Sequence, residues 1–205
     1  MRGIKAAAIF PIVSLATSTG FCDLGWMPAT LQDKLRAKQF VITAEVTPPV
    51  SADRAELLAK AVPLKGLADA VNVTDGAGAR PHLGAVTAAA MLVDQAIEPI
   101  LQFTCRDRNR IAVQSDLLGA AAAGIRNLLM LRGDDPSAGD QPDAKPVFDL
   151  DPRGLLTTAR RLRDVGELPT GRKIGGRADL AERNGTTPMM TDSRSAIPHS
   201  ASRAI

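Results

Sequence analysis

The chain has few aromatic side chains, cysteines and histidines. Its 205 residues include five Phe, one Trp and no Tyr, with only two Cys and two His. Proteins that bind single-stranded nucleic acid by stacking bases need aromatic platforms, so this binding mode is excluded. Cys22 and Cys105 are too few for a disulfide framework, which favours a reducing, cytoplasmic location. With His82 and His199 as the only histidines, neither a Ser-His-Asp triad nor a metal site is expected.

A strong net charge is also missing. The chain is 45% hydrophobic and 23% charged, with a mean hydropathy near zero, which excludes a wholly disordered protein and a multi-span membrane protein. The formal net charge is only +3, and the excess is concentrated in residues 152–205, which carry ten Lys and Arg against five Asp and Glu. The basic character therefore belongs to the C-terminal part and does not indicate a nucleic-acid groove.

The N-terminal segment has some features of a secretory signal. Arg2 and Lys5 precede an apolar run over residues 6–16, but Pro11 interrupts this run and no A-x-A cleavage site follows. The run is also too short to span a bilayer. We therefore expect residues 1–30 to be a poorly ordered leader, and no association with a membrane.

A repeat of 28 or 29 residues organises the body of the chain. Apolar, β-branched segments start near Val41, Ala70, Pro99 and Asn127, and each predicts a strand. Helical patterns lie between and after them, over residues 52–62, 81–96, 108–123 and 153–165. Ser51 and Asp107 are the expected N-caps of the first and third helices. Strands that alternate with helices predict a parallel sheet in an α/β fold.

The strand faces favour a (βα)8 barrel over a doubly wound sheet. Along the first strand Thr43 and Glu45 share one face, whereas the alternate positions are apolar. The next two strands repeat this pattern with Asn72 and Thr74, and with Gln102 and Thr104. A barrel interior with a ligand site at its C-terminal mouth requires one face that becomes polar in this way. A doubly wound sheet is covered on both faces and would be apolar on both.

The loop from Gly76 to Pro81 (GAGARP) nearly matches a dinucleotide-binding fingerprint. It follows a strand and precedes a helix, but Pro81 stands where the third glycine should be. A nucleotide-binding α/β module that uses this loop is thus a third, weaker functional hypothesis.

Glu45 is the most informative single residue. It lies inside a strand, on the polar face, just before Thr47. A half-buried carboxyl group there would have a raised pKa, suited to a general acid. The alternative is a structural ion pair between Glu45 and Arg132.

Four segments together resemble the methylenetetrahydrofolate reductase family. They are 40–49 (FVITAEVTPP), 71–76 (VNVTDG), 101–110 (LQFTCRDRNR) and 124–134 (GIRNLLMLRGD), and the likeness runs from about residue 31 to 174. The resemblance implies a (βα)8 barrel that binds FAD. It also implies transfer of a hydride from NAD(P)H through the flavin to 5,10-methylenetetrahydrofolate, which gives 5-methyltetrahydrofolate. Which nicotinamide is used stays open.

The resemblance also implies roles for individual residues. Glu45 matches the general acid that protonates the folate, and Asp134 matches the acid beside flavin and pterin. The positions that match cofactor contacts are Thr74, Ala77, Gln102, Leu131, Arg132, Gly133 and Asp134, and no metal is implied. Asp75 replaces an aromatic residue that some members have after the flavin-contacting Thr, and Gln102 replaces a histidine.

The likeness ends near residue 174. We expect residues 31–174 to form the first four βα units of such a barrel, and residues 175–205, rich in Arg, Ser, Thr and Gly, to be an unrelated or disordered tail. The main functional hypothesis is thus a truncated reductase whose partners are folate and NAD(P)H, with no nucleic acid or membrane. The alternative is a non-catalytic barrel fragment that acts only by pairing with another chain. Because four strands would leave two open sheet edges, we expect the chain as given to aggregate, to pair its edges with a second copy as a homo-oligomer or to stay partly molten, and not to be an active monomeric reductase.

Overall fold

A sheet with helices between its strands forms the described part of the chain, which in this computed structural model is residues 29–175 and the backbone of residues 9–11. The strands are β1 (Ile9–Pro11), β2 (Thr43–Val46), β3 (Ala70–Val73), β4 (Pro99–Thr104) and β5 (Asn127–Leu131). The helices are α1 (Leu31–Arg36), α2 (Arg54–Ala61), α3 (Ala85–Asp94), α4 (Arg110–Ala122) and α5 (Pro152–Arg160). All four predicted strands and all four predicted helices are present.

Strands β2 to β5 are parallel and lie side by side in chain order. The full order is β1-β5-β4-β3-β2, and β1 pairs antiparallel with β5. The prediction of an α/β fold with a parallel sheet is confirmed. The order shows none of the reversal that gives a doubly wound sheet its switch point. When neighbouring parallel strands are connected in chain order by right-handed crossovers, the connecting helices all lie on the same face of the sheet.

The main core lies between that face and the helices. The strands supply Val71, Val73, Leu101, Phe103 and Leu128, which are at most 1% exposed. The helices supply Leu57, Leu92, Leu117 and Leu155, which are also at most 1% exposed. Fully burying one such side chain contributes about 1.5–3 kcal/mol. Because successive side chains of a strand point to opposite faces, the residues packed under the helices determine which residues point to the other face of the sheet.

The opposite face is called here the open face. Helix α1, which no pattern in the sequence predicted, covers only its N-terminal end, where Leu31 packs on Ala70 and Ile100. The Glu98 carboxylate holds this corner by accepting from the Leu31 backbone N–H at 3.0 Å and from Asn127 Nδ2 at 2.8 Å. Thr30 caps α1 through a reciprocal capping box. The C-terminal end of the open face is thereby left clear of helices among the described residues.

Three helix starts differ from the prediction. Asp53 caps α2, and the predicted cap Ser51 instead accepts a hydrogen bond from the Asp53 N–H at 3.0 Å. Asn109 caps α4 in place of Asp107, because its side chain accepts from two N–H groups of the first turn. Helix α3 begins at Ala85, four residues after the predicted Pro81. At α2 and α4 several residues that favour caps stand close together, and the one that reaches the first turn decides the start. Helix α3 follows Gly84, which makes no side-chain capping bond.

The two outer edges of the sheet differ from each other. The sequence predicted two open edges, but β1 pairs with β5 over Ile9–Pro11 and covers one of them. Within the described residues no strand pairs with the outer edge of β2. Phe40 and Ile42, just before β2, are 89% and 53% exposed. The rest of the predicted leader and the predicted tail after residue 175 lie outside the described residues.

Candidate active site

The polar residues predicted for a barrel interior lie together on the open face. Glu45 is the register partner of Asn72 in the β2–β3 pair. On β4, Gln102 has the same facing and is half-buried. Because parallel strands end at the same edge of a sheet, these side chains meet toward the C-terminal end of β2, β3 and β4.

Glu45 and Gln102 are joined directly. Gln102 Nε2 donates to Glu45 Oε2 at 3.0 Å, across the intervening strand β3. The Glu45 side chain is exposed, so the predicted half-burial of this carboxyl group is wrong. The predicted alternative, an ion pair between Glu45 and Arg132, is also wrong. Arg132 follows Leu131 with opposite facing, and its guanidinium lies 4.0 Å from the ring centre of Phe148 on the helix side.

Thr74 has a buried hydroxyl group without a partner. The residue follows the last position of β3, where its N–H donates to the carbonyl of Val46 at 3.2 Å. It is 5% exposed, and its Oγ1 is the single buried side-chain oxygen or nitrogen in the described part that has no hydrogen-bond partner. An unsatisfied buried group costs about 1–3 kcal/mol, so it marks a place where a partner is missing.

Asp75 is part of an ion-pair network at the ends of β3 and β4. Its Oδ2 accepts from the N–H and the Oγ1 of Thr104, both at 2.9 Å, and from Arg108 Nη1 at 2.6 Å. Arg108 also donates through Nε to Asp116 at 2.8 Å, and its guanidinium lies 4.5 Å from the ring centre of Phe103. No pattern in the sequence predicted this network. Asp75, where some family members have an aromatic residue, is therefore committed to protein contacts.

Arg106 joins the three loops that follow β3, β4 and β5. The residue is 5% exposed, and its Nη1 donates to the carbonyls of Gly76 at 3.2 Å and Asp134 at 3.4 Å. The Asp134 carboxylate in turn accepts from the Gly78 N–H at 2.8 Å. A Cβ on Gly133 would lie only 3.0 Å from the Cβ of Arg106, so glycine permits this close packing. The loops are thereby tied into one assembly.

The remaining predicted residues are close to this assembly. Leu131 is half-buried on the open face and is the register partner of Thr104. Ala77 is half-buried in a short turn, Ala77–Ala79, after β3. The predicted site residues therefore lie at the C-terminal ends of β2–β5 or in the loops that follow them, and the Arg132 side chain is turned to the helix side.

A cavity of about 280 Å³ borders the Gly76 loop. Its lining includes Arg80, His82, Arg106, Pro136 and Gln141. Neither Glu45, Gln102, Thr74 nor Asp134 lines it. The loop that nearly matches the dinucleotide fingerprint thus borders a cavity that none of the predicted site residues lines.

Metal and thiol chemistry find little support in the described residues. No group of three or more His, Cys, Asp or Glu in this part of the chain could hold a metal ion. Burial raises the pKa of the Cys105 thiol, which disfavours the reactive thiolate. None of the helices in the same part is both long and apolar enough to cross a membrane.

The family model of methylenetetrahydrofolate reductase matches residues 30–152. This match covers more than half of the chain and contains every strand from β2 to β5. The chain belongs to the methylenetetrahydrofolate reductase family. No individual curated protein matches it.

Membership in the methylenetetrahydrofolate reductase family makes the chain a domain of a folate-linked oxidoreductase family that is generally flavin-dependent. The match includes Glu45, Thr74, Gln102 and Asp134. The observation that bears on a cofactor is the hydroxyl of Thr74, a buried donor without an acceptor at the C-terminal end of the sheet. Arg132 does not fit a cofactor on the open face, because it packs on Phe148.

Proposed function

We propose that this chain reduces 5,10-methylenetetrahydrofolate to 5-methyltetrahydrofolate with NAD(P)H, using bound FAD. The domain that carries this activity is residues 31–174, and β2–β5 with α2–α5 form four consecutive units of a (βα)8 wall. The single observation that carries the proposal is the Glu45–Gln102 pair on the open face of a domain of this family. It supplies an acid at the end of the sheet where such barrels hold their substrates.

The donors present at the open face fit a flavin in part. Thr74 would hold it through its unpartnered hydroxyl group, and Leu131 and Gly133 would contact it through the end of β5. Arg132 is left out of this set because of its contact with Phe148. When bound, FAD supplies the transfer of a hydride from the nicotinamide to the folate.

The proton of the reaction comes from this chain. Opening of the methylene bridge breaks a carbon–nitrogen bond, and the leaving folate nitrogen takes a proton as the electron pair of that bond returns to it. Glu45 is the acid that donates this proton, since its carboxyl group faces the open side of the sheet. A positioned general acid typically contributes about 10²–10⁴-fold. The methylene carbon then accepts the hydride, which completes the methyl group.

Asp134 has a different task in this proposal. Its carboxylate accepts from the Gly78 N–H, which links the loop after β5 to the loop after β3. We expect it to set the position of these loops beside flavin and pterin.

The test uses the full chain, purified and supplied with FAD. We expect it to bind FAD, to reduce it with NAD(P)H without oxygen, and to reoxidise it only when methylenetetrahydrofolate is added. The matched control is Glu56→Gln, which changes a carboxylate on α2 that bonds only Ser51 among the described contacts. A folded protein that neither binds FAD nor oxidises NAD(P)H in a folate-dependent way would overturn the proposal.

A second candidate function is a non-catalytic domain that pairs with another chain, including a copy of itself. The observation in its favour is the outer edge of β2, unpaired within the described part, with Phe40 and Ile42 exposed beside it. Size-exclusion chromatography with light scattering would test it. An oligomer that Ile42→Lys converts to monomer, together with no reductase activity, would favour this function over the enzyme.

A further inference from the structure

Glu45 and Gln102 come from strands that are not neighbours. In the sheet order β3 separates β2 from β4, so the two side chains must extend across it to form their 3.0 Å hydrogen bond. Asn72, the register partner of Glu45 on β3, does not compete for the carboxylate. Its Nδ2 donates to the carbonyl of Ala44 at 3.3 Å.

The backbone of Gln102 is held in place by strands on both sides. It stands in β4, the strand with β3 on one side and β5 on the other. Its neighbours Leu101 and Phe103 are fully buried in the main core. Within the described residues, Gln102 is the one side chain with a hydrogen bond to the Glu45 carboxylate. The Glu45 carboxylate, on the edge strand β2, is therefore positioned by a residue of β4, which has a neighbouring strand on each side.

We propose that Gln102 is a positioning residue that binds Oε2 of Glu45 and leaves Oε1 to carry the transferable proton. A protonated carboxyl group has one O–H and one carbonyl oxygen, and an amide N–H is accepted by the carbonyl oxygen. The N–H of Gln102 therefore selects Oε2 as the carbonyl oxygen. This inference rests on the proposed role of Glu45 as acid, and it replaces the direct cofactor contact that the family resemblance implies for Gln102.

The bond can be removed without unfolding the protein. Glu45 is exposed, and a hydrogen bond in contact with water contributes little to stability because water replaces the lost partner. Loss of the bond should therefore affect the orientation of Glu45 far more than the fold.

The experiment compares Gln102→Met, which keeps the length and removes the donor, with Gln102→Asn, which keeps the amide and shortens its reach. The matched control is Gln114→Met on α4, where among the described residues the amide donates only to the carbonyl of Arg110. The first readout is NMR of the ligand-free protein. We expect both Gln102 variants to shift the ¹³C signal of the Glu45 carboxyl group, and Glu45→Ala to shift the side-chain amide signal of Gln102. Gln114→Met should shift neither.

The second readout is the pair of half-reactions. Both Gln102 variants should slow the folate-dependent step by on the order of 10–100-fold through misorientation of the acid. Flavin reduction by NAD(P)H and the dissociation constant of folate should stay within about twofold, since neither needs the proton. The inference would be overturned if Gln102→Met changed neither the ¹³C signal of the Glu45 carboxyl group nor the rate of the folate-dependent step. If the unaltered chain has no folate-dependent step, the proposed function fails, and the NMR comparison alone decides whether Gln102 orients Glu45.

Discussion

Arg108 and Asp75 form a two-point ion pair across the ends of β4 and β3. Arg108 Nη1 lies 2.6 Å from Asp75 Oδ2, and Nη2 lies 3.3 Å from Oδ1. The two side chains are only 15% and 11% exposed. Because Thr104 also donates twice to Asp75, one carboxylate joins two strand ends and the loop before α4.

We expect Asp75→Ala to destabilise the fold. Without Asp75, Arg108 keeps Asp116 as its carboxylate partner, but the N–H and hydroxyl group of Thr104 lose their acceptor, and an unsatisfied buried polar group costs about 1–3 kcal/mol. The control is Arg54→Ala, whose ion pair with Asp94 is 44% and 61% exposed and should contribute less than about 1 kcal/mol. Urea unfolding measures both. An equal loss in the two variants would show that the buried network has no special role.

Acid should weaken the attachment of the segment before α5 to α4. Asp149 accepts from the guanidinium and the backbone N–H of Arg110, and these bonds lower its pKa well below the ordinary 3.8. A carboxyl group with a lowered pKa stabilises the fold above its unfolded pKa, and this contribution is lost as the pH falls through the folded value. Stability should therefore decrease as the pH falls below about 4. Asp149→Asn should lower stability at neutral pH and flatten this dependence, as measured by thermal unfolding between pH 7 and pH 2.

The strands could be predicted from the sequence because the alternation of side chains is a local property. Three predicted starts, at Ala70, Pro99 and Asn127, agree with the structure, and the first is two residues early. The polar face was also assigned correctly, since Glu45 and Gln102 lie on one side of the sheet and meet there. Helix α1 was missed although Thr30 and Asp33 form its capping box, because six residues are too few for a clear helical period.

The parts of the site that failed depend on tertiary geometry. The same alternation that places Leu131 on the open face turns Arg132 away from it, yet the family resemblance placed both in one site. The burial of Glu45 could not be inferred, because it depends on what covers the open face. The Asp75–Arg108 pair joins residues 33 positions apart through loop conformations, for which no periodicity exists.

Alanine at Gly76 should cost more stability than alanine at Gly78. Both glycines have positive φ, 59° and 66°, so each substitution carries a backbone cost of about 1–2 kcal/mol. A Cβ on Gly76 would also overlap the Arg106 guanidinium, whereas one on Gly78 meets nothing within 4 Å. Arg106 cannot yield easily, because Asp107 and two carbonyls hold it. The extra loss at Gly76 should be at least about 1 kcal/mol in urea unfolding; equal losses would mean that Arg106 moves freely.

Glu45→Gln should separate the two half-reactions. Flavin reduction by NAD(P)H needs no proton from this side chain and should stay largely intact. Folate reduction should fall by about 10²–10⁴-fold or more, since the amide cannot donate the proton as an acid does. Stopped-flow measurement of each half-reaction checks this. Equal losses in both would assign Glu45 a structural role instead.

Thr74→Val should weaken FAD binding without weakening the fold. Valine has nearly the shape of threonine, and its methyl group replaces a buried hydroxyl that has no partner, so the free energy of unfolding should stay unchanged or rise by up to about 1 kcal/mol. If that hydroxyl bonds the cofactor, its loss should raise the FAD dissociation constant roughly tenfold, which corresponds to about 1.4 kcal/mol.

Thr104→Val is the matched control for this substitution. Its hydroxyl donates to Asp75, so its loss should cost about 1–3 kcal/mol of stability. Urea unfolding and fluorescence titration with FAD measure the two effects separately. A Thr74→Val variant that unfolds more easily and binds FAD as before would show that the hydroxyl has a protein partner in solution. The cofactor would then have to be held from other residues of the open face.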